Sequence, residues 1–193
     1  MALRRLIVAS TNAGKVREVQ LELQDLTEWI VEPLPSGLME AEESGSTFLE
    51  NAILKATHYS RLFEDLILAD DSGLSVRALN GRPGVHTARY GATANERNQR
   101  VLNEFQSAGK PDRHAEFHCA FAVARWGTTI WTTEGLLEGE IAEAPKGTGG
   151  FGFDPIFYVP PLRKTLAQMT ALEKNQVSAR GKALAELRRF LAS

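Results

Sequence analysis

The chain has 193 residues, 43% of them hydrophobic and 24% charged, with a formal net charge of −2. A chain this long can bury roughly 70% of the surface its unfolded form exposes, which suits one domain with a sizeable core and argues against long disorder. The near-neutral charge excludes a general attraction for nucleic acid or anionic membrane. A single cysteine, Cys119, excludes an intrachain disulfide or thiolate metal cluster and points to the cytosol. No segment reaches the ~20 apolar residues of a membrane helix.

Met1 to Arg5 lead directly into the apolar strand Leu6-Ile7-Val8-Ala9, without the apolar stretch of a secretion signal, so no leader is expected. The loop Ser10-Thr11-Asn12-Ala13-Gly14-Lys15 follows, and then Val16, Val19, Leu23 and Leu26 recur at helical spacing. Backbone N–H groups, hydroxyls and a lysine at a helix start suit a phosphate; they equally suit a helix capped by Ser10, Thr11 or Asn12. A P-loop is excluded, because its first glycine is missing and Val16 stands where Ser or Thr would follow Gly14-Lys15. Residues 29–31 are the next strand, closed by Pro33 and Pro35, and Glu40 to Glu43 read as an acidic loop. Thr47 to Glu50 has capping-box spacing and predicts a helix to about Phe63.

Leu66-Ile67-Leu68-Ala69 is an uninterrupted apolar strand that stops on Asp70-Asp71-Ser72-Gly73. A strand apolar on both faces belongs to a helix-covered sheet, and ligands of such sheets gather at the strands' carboxyl ends. The same four residues also make an ordinary solvated turn. Adjacent strand residues point to opposite faces, so Asp70 and Asp71 are expected to divide between a chemical and a structural role. A haloacid-dehalogenase arrangement needs its carboxylates two apart and does not fit. With Glu40, Glu42 and Glu43 the aspartates suit Mg²⁺, a hard cation that takes one or two carboxylates plus substrate phosphates; the glutamates alone read as a solvated loop.

Residues 74–79 are expected to form a short strand and residues 81–91, with Pro83 and three glycines, a loop. Thr93 to Glu96 repeats the capping signal for a helix to about Ser107, ended by Gly109 and Pro111. From residue 115 to 126, Phe117, Cys119, Phe121 and Val123 alternate with polar and small residues, giving a strand with one buried face. Gly127-Thr128 turns it into a second strand through about Thr133, and this antiparallel hairpin makes the sheet mixed. Residues 147–161, rich in glycine, proline and aromatics, are expected to hold no regular element. Within them Phe151 and Phe153 can stack a flat base, worth roughly 1–3 kcal/mol for each stacked base, or plug the sheet. Lys174 and Arg180, placed at the start of the last helix, can reach phosphate or base, or remain solvated. Leu184, Leu187 and Leu191 mark that helix's buried face, and Arg188 and Arg189 suit the dipole at its end. His58, His86, His114 and His118 lack metal-ligand spacing and take no role.

In this order and spacing the segments resemble the inosine/xanthosine triphosphate pyrophosphatases, which clear deaminated purine nucleotides from the precursor pool. The resemblance spans nearly the whole chain. It rests on residues 10–15, on Phe48-Leu49-Glu50-Asn51-Ala52, on Ala69-Asp70-Asp71-Ser72-Gly73-Leu74, on Gly84 to Tyr90 with Ala88-Arg89-Tyr90, and on Gly149 to Phe157. It implies a single α/β domain over residues 1–193, with an elongated mixed sheet flanked by helices and a substrate cleft between two lobes. It also implies hydrolysis of ITP, dITP and XTP by water to monophosphate and pyrophosphate, in a Mg²⁺-dependent cytoplasmic homodimer with no nucleic-acid or membrane partner. Asp71 matches the general base and a metal position, and Glu42 matches a metal position, with Glu43 as its alternative. Ser10, Thr11, Asn12, Ala13, Gly14, Lys15, Ser72, Phe151, Gly152, Phe153, Asp154, Lys174 and Arg180 match substrate-binding positions.

One departure matters. The family usually has Ser-His-Arg where this chain has Ser178-Ala179-Arg180, and that histidine belongs to the base-recognition end. Inosine and xanthosine carry an acceptor oxygen at C6, so losing a donor there is expected to weaken ITP binding and narrow discrimination. A septum-formation-type nucleotide pyrophosphatase is a second enzyme reading and fits the motifs less well. A nucleotide sensor that binds without hydrolysis is a third, at odds with the intact Asp71, Glu42 and Lys15.

Overall fold

The computed structural model describes residues 3–109 and 112–193. The chain opens with β1 (Arg4–Ala9), α1 (Ala13–Leu23), β2 (Trp29–Pro33), α2 (Phe48–Tyr59) and β3 (Leu66–Val76). β1 pairs in parallel with β2 on one side and with β3 on the other, in register from Leu6 opposite Leu66 to Ala9 opposite Ala69. The path therefore runs outward through α1 and back through α2, and right-handed crossovers place those helices on opposite faces. Covered on both faces, Leu6 to Ala9 and Ile67 to Ala69 are buried throughout. α2 stops at Tyr59, short of the expected Phe63. Buried Ser60 closes it by donating its hydroxyl to the Thr57 carbonyl and accepting from the Gly127 N–H.

The largest correction concerns β3, which does not end at the aspartates but runs unbroken through Asp70-Asp71-Ser72-Gly73 to Val76. Neither the solvated turn nor a separate strand over residues 74–79 forms; a 3₁₀ turn at Arg77–Leu79 follows β3 directly. The remaining elements are α3 (Ala94–Ser107), β4 (His114–Arg125), β5 (Thr128–Ile141), β6 (Phe157–Val159), β7 (Lys164–Thr165), α4 (Ala171–Val177) and α5 (Ala179–Ala192). The seven strands form one mixed sheet in the order β2-β1-β3-β4-β5-β6-β7, with β5–β6 and β6–β7 antiparallel. Compactness divides the chain into two units. One holds Met1–Asp71, Cys119–Glu134 and Ala183–Ser193; the other holds Ser72–His118 and Gly135–Lys182.

Local chemistry accounts for most boundaries. Thr47 and Thr93 both form full capping boxes, with Glu50 and Glu96 reaching back. α3 ends at Ser107 as expected, with Gly109 at φ +73°; Pro111, the other expected stop, lies outside the described residues. Trp126 and Gly127 both have positive φ, the conformation of a two-residue hairpin turn. Cys119 to Ala124 of β4 are buried on both faces rather than one, because small Ala120, Ala122 and Ala124 fill the second face. β5 extends past Thr133 to Ile141, since Gly139 leaves room for the ring of Phe157: a Cβ there would lie 2.6 Å from Phe157 Cε1. Residues 147–161 do contain a strand, β6, preceded by a 3₁₀ turn at Asp154–Ile156.

The terminal helical pattern is two helices. Lys174 sits on α4, not on the last helix, while Arg180 lies in the first turn of α5. Ser178 separates them by accepting the Gly181 N–H in its hydroxyl oxygen, and Gly181 is pressed so closely on Asn175 that a Cβ would lie 1.7 Å from that carbonyl oxygen. Leu184, Leu187 and Leu191 form the buried face of α5, and Trp29 Nε1 donates to the Leu191 carbonyl. Among the described residues no helix is long and apolar enough to cross a membrane.

Candidate active site

The parallel pairing of β1 with β3 ends at Ala69, so Asp70 is the first β3 residue beyond the end of β1, beside which α1 begins. Although the strand continues, its aspartates still occupy the carboxyl end of the parallel part, at the point where the chain reverses direction across the sheet. The alternation of a strand then separates the two side chains. Asp70, 4% exposed, meets Lys15 Nζ of α1 at 2.7 Å. Asp71 Oδ2 accepts from Asn51 Nδ2 of α2 at 3.0 Å.

Lys55, one turn beyond Asn51 on α2, donates to the Asp70 carbonyl at 3.0 Å and pairs with Glu43. Burial alone would lower the Lys55 ammonium, but Asp70, Glu43 and Asp71 outweigh it and hold the group above its ordinary value. Burial likewise pushes the Asp71 carboxyl up; the Asn51 hydrogen bond and Lys55 pull it down, Glu43 adds to the rise, and Lys15 opposes it. The result is a carboxyl of raised proton affinity among two ammonium groups and a second carboxylate. A raised carboxyl pKa in such surroundings is what a general base requires.

Of the acidic loop, Glu43 is half-buried and tied to Lys55, whereas Glu42 is exposed. Among the described residues no group of three or more His, Cys, Asp and Glu forms a ready-made metal cage. Mg²⁺ does not need one, since it keeps waters and substrate phosphates as ligands. Asp71 and Glu43 are two hard oxygen donors, close enough that Glu43 adds to the cost of charging Asp71, and they fit that requirement.

The Ser10–Lys15 loop is organised by its own side chains. Ser10 Oγ accepts the Asn12 N–H, and Asn12 Oδ1 accepts those of Gly14 and Lys15, which makes Asn12 the cap of α1.

The second unit carries its own group. Arg180, 7% exposed, donates from Nη2 to Ser72 Oγ at 3.0 Å. Asp154, 3% exposed, accepts the Phe151 N–H at 2.7 Å and the Lys174 ammonium at 2.8 Å. That ammonium also lies 4.3 Å from the Phe151 ring centroid. Gly150 makes the turn possible: at φ +69° a Cβ would lie 2.0 Å from Asp154 Oδ2. Phe153 points into the core, so of the two rings expected to stack a base only Phe151 is partly open. Ala179 is buried at the start of α5.

Sequence reasoning gave no role to Asn51 or Lys55. Their signal was spacing: they lie four apart on α2, beside a stripe of buried Phe48, Ala52, Ala56 and Tyr59, where an amide and an ammonium are out of place.

A relative from Thermosynechococcus vestitus, named a dITP/XTP pyrophosphatase, is 49% identical over 191 residues, covering 97% of this chain and 95% of its own. One of the same name from Nostoc sp. is 50% identical over 183 residues, covering 94% and 91%. Among solved structures, a HAM1 protein from Coxiella burnetii superimposes with a TM-score of 0.88 at 42% identity, covering 98% of this chain and 99% of that one. The Staphylococcus aureus Ham1 protein gives 0.85 at 37% identity, with 98% of each chain covered. The Ham1 family pattern matches residues 6–190, and with relatives this similar over nearly their whole length the chain belongs to the Ham1 family.

Proposed function

We propose that this protein hydrolyses deaminated purine nucleoside triphosphates, dITP, ITP and XTP, to the monophosphate and pyrophosphate. The observation that carries the reading is the half-buried Asp71 carboxylate, held by Asn51 among Lys15, Lys55 and Glu43 where α1 begins. The names of the Thermosynechococcus and Nostoc relatives supply the substrate class. Asp71 accepts a proton from the attacking water, and its burial provides the basicity. Lys15 and the backbone at the start of α1 offset charge on the phosphates. Asp71 with Glu43, or with Glu42 as the family resemblance implies, would hold Mg²⁺, which when bound neutralises phosphate oxygens. Phe151 offers a ring face to the base, and Lys174, Asp154, Arg180 and Ser72 complete the substrate-binding set. Resemblance alone supports a homodimeric state and a cytoplasmic location.

Incubation with Mg²⁺ and, separately, ITP, XTP, dITP, ATP and GTP tests the reading by chromatography of the products. Monophosphate plus pyrophosphate from the first three, with ATP and GTP largely spared, is the expected outcome. Measurable ITP binding without any hydrolysis would replace the enzyme with a sensor.

Ala179 sets a second expectation. Restoring a donor by Ala179→His is expected to improve the ITP over ATP preference about three- to tenfold, the value of one hydrogen bond to substrate. Competition between the two nucleotides in one reaction measures it, and an unchanged ratio would remove position 179 from base selection.

A further inference from the structure

We infer that Asn51 is a positioning residue that fixes the orientation of Asp71 and ties the acidic loop to it; this rests on the function proposed above. Asn51 is 2% exposed and uses both ends of its amide. Its oxygen accepts the Gly45 N–H at 2.8 Å, and its nitrogen donates to Asp71 Oδ2 at 3.0 Å. The first bond determines the second. With the oxygen engaged by a backbone N–H, only the NH₂ faces Asp71, so the amide can only donate to that carboxylate.

Gly45 belongs to the same link. A Cβ there would lie 2.7 Å from Glu50 Cβ, 2.8 Å from Asn51 Oδ1 and 3.0 Å from the Asn51 backbone nitrogen. Only glycine lets the loop that follows Glu42 and Glu43 approach the first turns of α2 this closely. That turn is itself fixed by the Thr47 capping box, whose Glu50 carboxylate also accepts from the Ser46 N–H and hydroxyl. One amide thus joins a rigid helix start, the loop bearing the glutamates and the carboxylate on β3. A bond of this kind costs little to form in the folded protein, yet it restricts the carboxylate to one orientation. Hydrogen-bond partners that orient a reacting or metal-holding group are typically worth about 10- to 100-fold in activity or metal affinity.

The test is a double-mutant cycle between Asn51→Ala and Asp71→Asn, with kcat and KM for XTP measured separately and folding checked by circular dichroism and thermal unfolding. Asn51→Ala is expected to lower kcat about 10- to 100-fold with KM changed less than about threefold, and to lower it no further in the Asp71→Asn background. Asn51→Leu keeps much of the side chain's volume while removing the donor to Asp71 without adding a charge, and gives the same loss if the alanine variant fails to fold. Calorimetric titration of Mg²⁺ into the nucleotide-free protein provides a readout apart from turnover, and weakened binding in Asn51→Leu is expected. A folded variant within twofold of the parental kcat, or equal losses in both backgrounds, would overturn the inference. If Asp71→Asn itself leaves turnover intact, the failure lies instead with the proposed function.

Discussion

Asp71→Asn is expected to lower kcat about 10²- to 10⁴-fold, the usual worth of general-base help, while leaving the fold at least as stable as the parent. The two halves of this expectation have one cause. Burial raises the Asp71 carboxyl above its value in the unfolded chain. A carboxyl shifted this way contributes stability that is fully present below its unfolded pKa and is lost as pH rises through its folded pKa. At neutral pH the ionised side chain is therefore a net cost, which an amide of the same shape does not impose. Asparagine also keeps an oxygen for the Asn51 donor, so the packing at this point survives. Hydrolysis of XTP and thermal unfolding without added metal measure both halves. Near-parental turnover would remove Asp71 from the mechanism, and a clear fall in the unfolding midpoint would make its role structural.

Lys174→Met should destabilise the protein by about 3 kcal/mol, the lower end for breaking a buried ion pair from one side. Asp154 is 3% exposed, and its carboxylate would keep the Phe151 N–H while losing the ammonium. The cost arises from the charge left behind, so Lys174→Met combined with Asp154→Asn should recover most of it, because the amide oxygen still accepts from Phe151. Urea unfolding of the two variants separates these cases. Equal stability losses in the single and double variants would show that the pair is not what holds this turn. Both variants should also bind substrate more weakly, since the ammonium beside the Phe151 ring is gone.

Much of the molecule could be read from residues a few positions apart. The Thr–Glu pairs beginning α2 and α3, the glycine after Trp126 and the apolar run of β1 act locally, and each produced the expected element. What escaped depends on distant neighbours. Asp70-Asp71-Ser72-Gly73 has the composition of a turn, and it stays extended within β3, which is held in the sheet between β1 and β4, while Lys15, 55 residues earlier, pairs with the buried Asp70. Spacing placed Phe151 and Phe153 alike, yet only packing decides that one enters the core. Lys174 and Arg180 read as the start of one helix, whereas the break at Ser178 rests on one hydroxyl and a close contact of Gly181 with the Asn175 backbone. At the candidate site the types of residue were legible and their pairing was not. The resemblance puts Glu42 first and Glu43 second, whereas Lys55 pairs with Glu43.

The cap of α1 has a consequence for how an anion is received. Because the Asn12 carboxamide already accepts the Gly14 and Lys15 N–H groups, the loop is shaped before any phosphate arrives. On the function proposed above, a phosphate at this helix start would exchange places with an acceptor rather than fill bare donors. Its gain from those two bonds would be the difference between a charged and a neutral oxygen, so the loop would discriminate by charge without a backbone rearrangement. In that case Asn12 would be an internal stand-in for the ligand, one that keeps the two donors aligned.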